Sequence, residues 1–338
     1  MLRRTARFMH EGTELTGEAT LASIGVSDGA WLQTILHASG SEALTGSDDC
    51  TAKLWDLQTG ECVLTLTGHS DTVNSVAFTP DGSQALTGSD DGTAKIWSLD
   101  SGECLRCFTG HEKEVMSAAI SPDGTHVVTA SSDSTAKLWS TKSGECLLTF
   151  DALPTGSLYS ATFSPDGSQV LVAQGDGRAS LWSADSGERI RDFQHGGSVA
   201  SAVFSPDGAR VLSASMDRTA KLFDAGNGEC RRIFARHIRA VNSAAYSPDG
   251  SCVATCSDDG TVRLWCTVVG NCLRTLEWMT GGVFDVAFSP DGARLLTAHE
   301  DGLALLWGAQ SGERLVTLSG HTDWARCVAF SPLPGVAD

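Results

Sequence analysis

The sequence predicts an all-β fold, a seven-bladed β-propeller of four-stranded antiparallel blades, and three phase-locked series of residues predict it. The tetrapeptide Thr-Pro-Asp-Gly or Ser-Pro-Asp-Gly begins at Thr79, Ser121, Ser164, Ser205, Ser247 and Ser289. An aromatic recurs at Trp55, Trp97, Trp139, Trp182, Phe223, Trp265 and Trp307, with spacings of 42, 42, 43, 41, 42 and 42. Six residues before each aromatic stands an aspartate: Asp49, Asp91, Asp133, Asp176, Asp217, Asp259 and Asp301. Series that keep one phase mark a tandem array of a single supersecondary unit.

The unit from Val73 to Phe108 shows what each element is. Val-Asn-Ser-Val-Ala-Phe is a first strand. Thr-Pro-Asp-Gly then turns the chain, because Pro80 fixes φ for a type I turn and Gly82 takes the left-handed position. Gln-Ala-Leu-Thr-Gly-Ser is the second strand, and the next Asp-Gly turns again. Ala-Lys-Ile-Trp and Cys-Leu-Arg-Cys-Phe are the third and fourth strands, divided by Asp-Ser-Gly-Glu. No apolar spacing of three and four persists long enough for a helix. One such sheet leaves both faces bare, whereas a closed ring buries each face on its neighbour.

Gly68-His69 and Gly110-His111, with Asp91, Asp133 and Trp55-Asp56, carry a family resemblance: residues 38–332 resemble WD40 repeats. That resemblance implies a hydrogen-bonded chain in each blade, joining a histidine, a hydroxyl of the second strand, the turn aspartate and the tryptophan. The matching sets are His69, Thr87, Asp91 and Trp97 in blade two; His111, Thr129, Asp133 and Trp139 in blade three; His237, Thr255, Asp259 and Trp265 in blade six. Blade one has Thr45, Asp49 and Trp55 but Ser27 at its histidine position, and His321 supplies the missing member. Ala325–Phe330 is therefore expected to enter blade one and close the ring in preference to Trp31–Leu36. Blade four (Val172, no Gly-His), blade five (Phe223) and blade seven (Met279 at the histidine position) depart from the pattern and are expected to be the softest.

Three segments follow: an N-terminal stretch 1–37, the propeller 38–332 and a tail 333–338. Phe8–Leu36 resembles the C-terminal half of a ubiquitin-like domain, through Gly12-x-x-Leu15, Thr20-Leu21 and the Ile24-x-Val26-x-Asp28-Gly29 turn. Half of so small a core does not fold alone. Either the chain is a piece of a longer one or the segment packs on the propeller.

Composition narrows the function. A net charge of −17 argues against a phosphate-backbone binder. No apolar run approaches the ~18 residues of a membrane span, and no signal peptide follows Met1-Leu-Arg-Arg. Of the 11 cysteines, Cys62, Cys104, Cys146, Cys230 and Cys272 stand seven residues after an aromatic in five units, so they are repeat positions, read as buried and reduced. An odd count without a leader fits the cytosol or nucleus. Cys104-x-x-Cys107 is not read as a metal or redox pair. The repeated His and Asp suit a structural chain better than an active site. No catalytic motif is present, so the expectation is no enzyme, no cofactor and no metal.

The resemblance implies a noncatalytic scaffold in a multiprotein complex, binding peptides on the propeller's narrower, top face. Repeat phase places Asp48, Asp90, Met216, Asp258 and Glu300 there, before the turn aspartates, and Glu114, Met116, Tyr159, Phe284, Trp324 and Arg326 around the starts of the first strands. Acids from five blades and apolar anchors suggest a partner peptide that is basic. The alternatives are a substrate-receptor subunit of a ubiquitin ligase, disfavoured by Gln58 after Trp55-Asp56-Leu57 where such receptors often carry arginine, and a regulatory WD40 domain of a larger multidomain protein.

Overall fold

The computed structural model describes residues 7–10, 13–15, 33–35, 41–152, 156–278 and 281–332. Seven four-stranded antiparallel sheets form, as the periodicity requires. Six are continuous in sequence. The seventh, blade one, is assembled from both ends of the chain: Ala325–Phe330 is its inner strand, beside Glu42–Ser47, Ala52–Asp56 and Cys62–Leu66. The closing register pairs Val328 with Thr45 and Phe330 with Ala43. Gln33–Ile35, the centre of the rival segment, pairs instead with Arg7–His10 in a small three-stranded sheet with Thr13–Leu15. The rest of the ubiquitin-like stretch and the tail 333–338 lie outside the described residues.

The turn chemistry is repeated. In blade two the Thr79 hydroxyl donates to Asp81 at 2.5 Å, the Gly82 N–H donates to the Thr79 carbonyl at 2.8 Å, and Gly82 sits at φ 70°, where a Cβ would strain the turn. Alternation along each strand presents apolar side chains to both neighbouring blades. Seven apolar clusters result, each spanning one gap between adjacent blades. The cluster of Trp55, Leu57, Leu296 and Leu306 sits across the closing gap of blades seven and one. Burying a large side chain contributes about 1.5–3 kcal/mol, so every gap, including the last, is held by the same force.

The inner strands surround an axial channel of about 700 Å³. At their third position the blades carry Ser75, Ser117, Ser160, Ser201, Ser243, Asp285 and Cys327. Ser75 bridges to the next blade, accepting the Ala118 N–H at 2.9 Å and donating to its carbonyl at 3.1 Å. Asp285 takes this place at the closing seam, where its Oδ2 accepts the Val328 N–H at 3.0 Å. Burial pushes the Asp285 carboxyl up to about 6, although hydrogen bonds from Val328, Ser243 and Val286 oppose it. Its remaining open area lines the channel.

The cysteine reading needs correction in one respect. All eleven thiols are free, but Cys62, Cys104, Cys107, Cys146 and Cys230 are exposed, and Cys272 is half-buried. They occupy the fourth strand, which is the outer edge of the blade, and repeat phase locates a residue in a strand without saying how deep that strand lies.

Candidate functional site

The hydrogen-bonded chains are present where the sequence placed them. In blade two the Trp97 Nε1–H donates to Thr87 Oγ1 at 2.8 Å, Thr87 Oγ1 meets His69 Nε2 at 2.6 Å, and His69 Nδ1 meets Asp91 at 2.7 Å. Blade three (Trp139, Thr129, His111, Asp133) and blade six (Trp265, Thr255, His237, Asp259) repeat this. In blade one the Trp55 indole donates to Thr45, and His321 reaches Thr45 at 2.7 Å and Asp49 at 2.8 Å. The hydroxyl already accepts from tryptophan, so its own proton goes to His Nε2, which fixes the Nδ1–H tautomer facing the carboxylate.

Burial pulls His69, His111, His195, His237 and His321 below the ordinary histidine value, against the pull of their aspartates. The rings are neutral, and the contacts are hydrogen bonds to a carboxylate, not ion pairs. Burial alone would raise Asp91, but donors from Thr93, His69 and Ser70 bring it down to about 2. Such satisfaction makes these groups structural.

The three departing blades differ from one another. Blade five keeps its histidine, His195, on Ser213 at 2.7 Å and Asp217 at 3.1 Å, with Phe223 packing on the ring. In blade four, Val172 leaves the Trp182 indole N–H without a partner among the described residues, and buried Gln174 is equally unpartnered. Blade seven is rebuilt in a way the sequence reading missed. His299, two residues beyond Thr297 on the same strand, meets its hydroxyl at 2.7 Å, while Trp278 donates to Asp301 at 2.8 Å and packs edge-on against His299 and Trp307. Two residues thus share the work of one histidine. Met279, the position read as a gap, lies outside the described residues.

Seven equivalent hydrogen bonds build the top face. The residue before each turn aspartate donates its backbone N–H to the residue before each inner strand: Asp48 to Trp324, Asp90 to Thr72, Ser132 to Glu114, Gly175 to Ser157, Met216 to Ser198, Asp258 to Ala240 and Glu300 to Gly282. This brings Asp48, Asp90, Glu114, Met116, Tyr159, Met216, Asp258, Phe284, Glu300, Trp324 and Arg326 to one side of the ring.

Several of these acids are already engaged. The Arg326 guanidinium forks onto Asp48 at 2.5 and 2.8 Å. Asn74 donates to Asp90 and Asn242 to Asp258, each at 2.6 Å, and both asparagines also reach the next blade, at Val115 and Val283. Glu300 accepts the Gly282 N–H at 2.8 Å. Uncompensated charge collects on blades two and three: burial raises the Asp90 carboxyl, and the nearby Asp71 and Glu114 raise it further. Phe284 of blade seven and Trp324 of blade one stack at 5.4 Å across the closing seam, with the Arg326 guanidinium 4.8 Å from each ring. Trp324 remains 38% exposed and Met216 46%, while Met116, Tyr159 and Phe284 are half-buried.

Among the described residues, no group of His, Cys, Asp and Glu is arranged to hold a metal ion, and no helix is long and apolar enough to cross a membrane.

Comparison with known proteins agrees with this geometry. A coatomer subunit beta'-1 of Arabidopsis thaliana is 58% identical over 38 residues, 11% of this chain and 4% of that protein. WD repeat-containing protein 37 of Xenopus tropicalis is 37% identical over 57 residues, 17% of this chain and 12% of that protein. A Lissencephaly-1 homolog of Branchiostoma floridae is 48% identical over 42 residues, 12% of this chain and 10% of that protein. These matches span roughly one repeat of much longer relatives. The family described as WD domain, G-beta repeat matches at 27–56, 60–98, 102–140, 144–183, 187–224, 228–266, 270–308 and 312–334. Eight matched segments give seven blades because the sequence repeat runs from one blade's outer strand to the next blade's third, and the first and last segments both contribute to blade one. The chain belongs to the WD40 family.

Proposed function

We propose that this WD40 protein is a noncatalytic interaction scaffold whose top face holds a peptide carrying lysine or arginine beside an apolar anchor. One observation carries the reading: the Phe284–Trp324 stack, its tryptophan 38% exposed, shares the Arg326 neighbourhood of Asp90, which with Asp71 and Glu114 makes a cluster of carboxylates without a strong cationic partner of their own. Arg326 lies close enough to lower Asp90, so aromatic pair and acids form one neighbourhood. Charge steers encounter there, and the desolvated aromatic surface holds the complex.

The coatomer relative is by its name a subunit of an assembly, which supports membership of a multiprotein complex and no particular partner. The ubiquitin-ligase alternative rests on the N-terminal stretch and gains nothing from Gln58. An intracellular site of action fits the free thiols.

The test is fluorescence anisotropy with a labelled peptide bearing repeated Arg-Leu pairs, against its Gln-Leu counterpart. Trp324→Ala with Phe284→Ala should weaken binding at least about tenfold with little change in melting temperature, since truncating a central aromatic anchor costs about 2 kcal/mol or more. Asp90→Asn with Glu114→Gln should slow association mainly at low salt. Wild-type binding by both variants would move the site off the top face.

A further inference from the structure

We propose that the rim of the top face between blades five and six is a second docking site, for an acidic peptide segment with an apolar side chain between its carboxylates. In a chain of net charge −17, several exposed arginines make no ion pair among the described residues, and three of them, Arg218, Arg236 and Arg239, lie on the neighbouring loops of blades five and six. Arg178, Arg189, Arg231, Arg294 and Arg326 all have carboxylates within 4.0 Å. The neighbouring turn acids do not compensate: Asp217 is held by His195 and the Gly196 N–H, and Asp259 by His237 and the Ile238 N–H.

The arginines come together through strand register. Ala220 opposes Phe234 and Lys221 opposes Ile233, and from this ladder end one strand leads back to Arg218 and the other runs on to Arg236. The equivalent residues of blade four, Gly177 and His195, are joined there by an N–H···O bond of 2.8 Å. Blade five keeps no such bond, and like charges gathered at one ladder end are unfavourable without an anion between them. Arg218 is also held at φ 72°, where Gly92, Gly177, Gly260 and Gly302 stand in four other blades. Both features disfavour the free protein, and an anionic ligand relieves the first.

The apolar half is equally local. Ile238 is 74% exposed, directly after His237, where the other histidine loops carry Ser70, Glu112, Gly196 and Thr322. Met216, 46% exposed, lies two residues before Arg218. A bidentate carboxylate on each guanidinium, with an apolar residue on Ile238 and Met216, satisfies the whole patch. The remote acids do not forbid this, because at physiological salt charges beyond about 8 Å are largely screened. The site is separate from the acidic neighbourhood of blades two and three, so each stands or falls alone.

The experiment is fluorescence anisotropy with a labelled peptide carrying two Glu-Leu-Glu triads, and the same peptide with Gln for Glu. The Glu peptide should bind the wild-type chain, more weakly as salt rises, and the Gln peptide should not. Arg218→Glu with Arg236→Glu should weaken binding at least about tenfold, and Ile238→Ser about fivefold. Asp90→Asn with Glu114→Gln should leave it unchanged. Should the reversed pair fail to fold, Arg236→Gln and Arg239→Gln, both exposed loop positions, make the same test. No binding by the wild type, or binding unaffected by the arginine variants, overturns the proposal.

Discussion

Replacing Asp285 with asparagine should stabilise the protein at neutral pH. The carboxyl is raised from 3.8 to about 6 by burial, so it is ionised at pH 7 at a cost to the fold. The rise from 3.8 to about 6, at about 1.36 kcal/mol per pH unit, gives a ceiling of about 3 kcal/mol, and the partial exposure of the side chain reduces this toward about 1. A group whose folded value is raised lends its full stability below the unfolded value and loses it as pH climbs through about 6. The buried histidines act in the opposite sense, so the readout is the difference between variant and wild type in urea melts from pH 8 to pH 4. Asparagine keeps an acceptor for the Val328 N–H. Its advantage should be largest above pH 7 and shrink to nearly nothing by pH 4. A difference independent of pH, or a less stable variant at pH 7.5, would refute the reasoning.

Val172→Thr should stabilise blade four by about 0.5–1.5 kcal/mol in denaturant melts, since it gives the orphaned Trp182 indole an acceptor at nearly constant volume; a loss of stability would mean that the new hydroxyl finds no acceptor for its own proton. His111→Ala should cost about 1–3 kcal/mol by stranding Thr129 and Asp133, and an effect within error would remove the hydrogen-bonded chain as a source of stability. Deleting residues 320–338 should lead to aggregation by baring the edge of Glu42–Ser47, whereas deleting 1–30 should leave the melt nearly intact; the reverse ranking would contradict the closure. In an Asp285→Asn background, stability should fall as pH drops below 6.5, because burial lowers the histidines and takes His299 to about 4, so the unfolded chain binds protons first. A flat profile between pH 6.5 and 4.5 would show that the rings titrate freely in the fold.

What was legible in the sequence was whatever repeats. The turn tetrapeptides and turn aspartates keep a fixed offset from the aromatics, so blade count, strand order and three of the hydrogen-bonded chains could be read directly. His321 was legible as well, because a missing member at one end and a surplus one at the other close only one way. The pairs Asn74–Asp90 and Asn242–Asp258 share a separation of 16 residues and could have been found by the same phase argument. Depth in the blade was not legible: the outer-strand cysteines keep the repeat phase yet face solvent. Nor was the repair of blade seven, because His299 lies on a strand and not in the upstream loop, and only three-dimensional proximity makes it equivalent to His69.

The exceptions gather at one place, and ring closure explains why. Trp324, Arg326, Cys327 and His321 lie on or beside the terminal strand Ala325–Phe330, and Phe284 and Asp285 on blade seven next to it, where the other blades use serine at the third position and asparagine before it in two cases. Six blades fold on strands adjacent in sequence, so local turns set their register. Within blade one the terminal strand and Glu42–Ser47 are separated by some 280 residues, as in the Arg326–Asp48 pair, and no turn fixes how the terminal strand docks. A one-residue slip would turn every buried side chain outward. The bidentate Arg326–Asp48 contact, the His321–Asp49 bond and the Asp285–Val328 bond are each directional and each tied to one register. Polar and charged groups are therefore expected where specificity of docking matters more than net stability, and the same concentration of aromatic and ionic groups gives the top face its most distinctive surface.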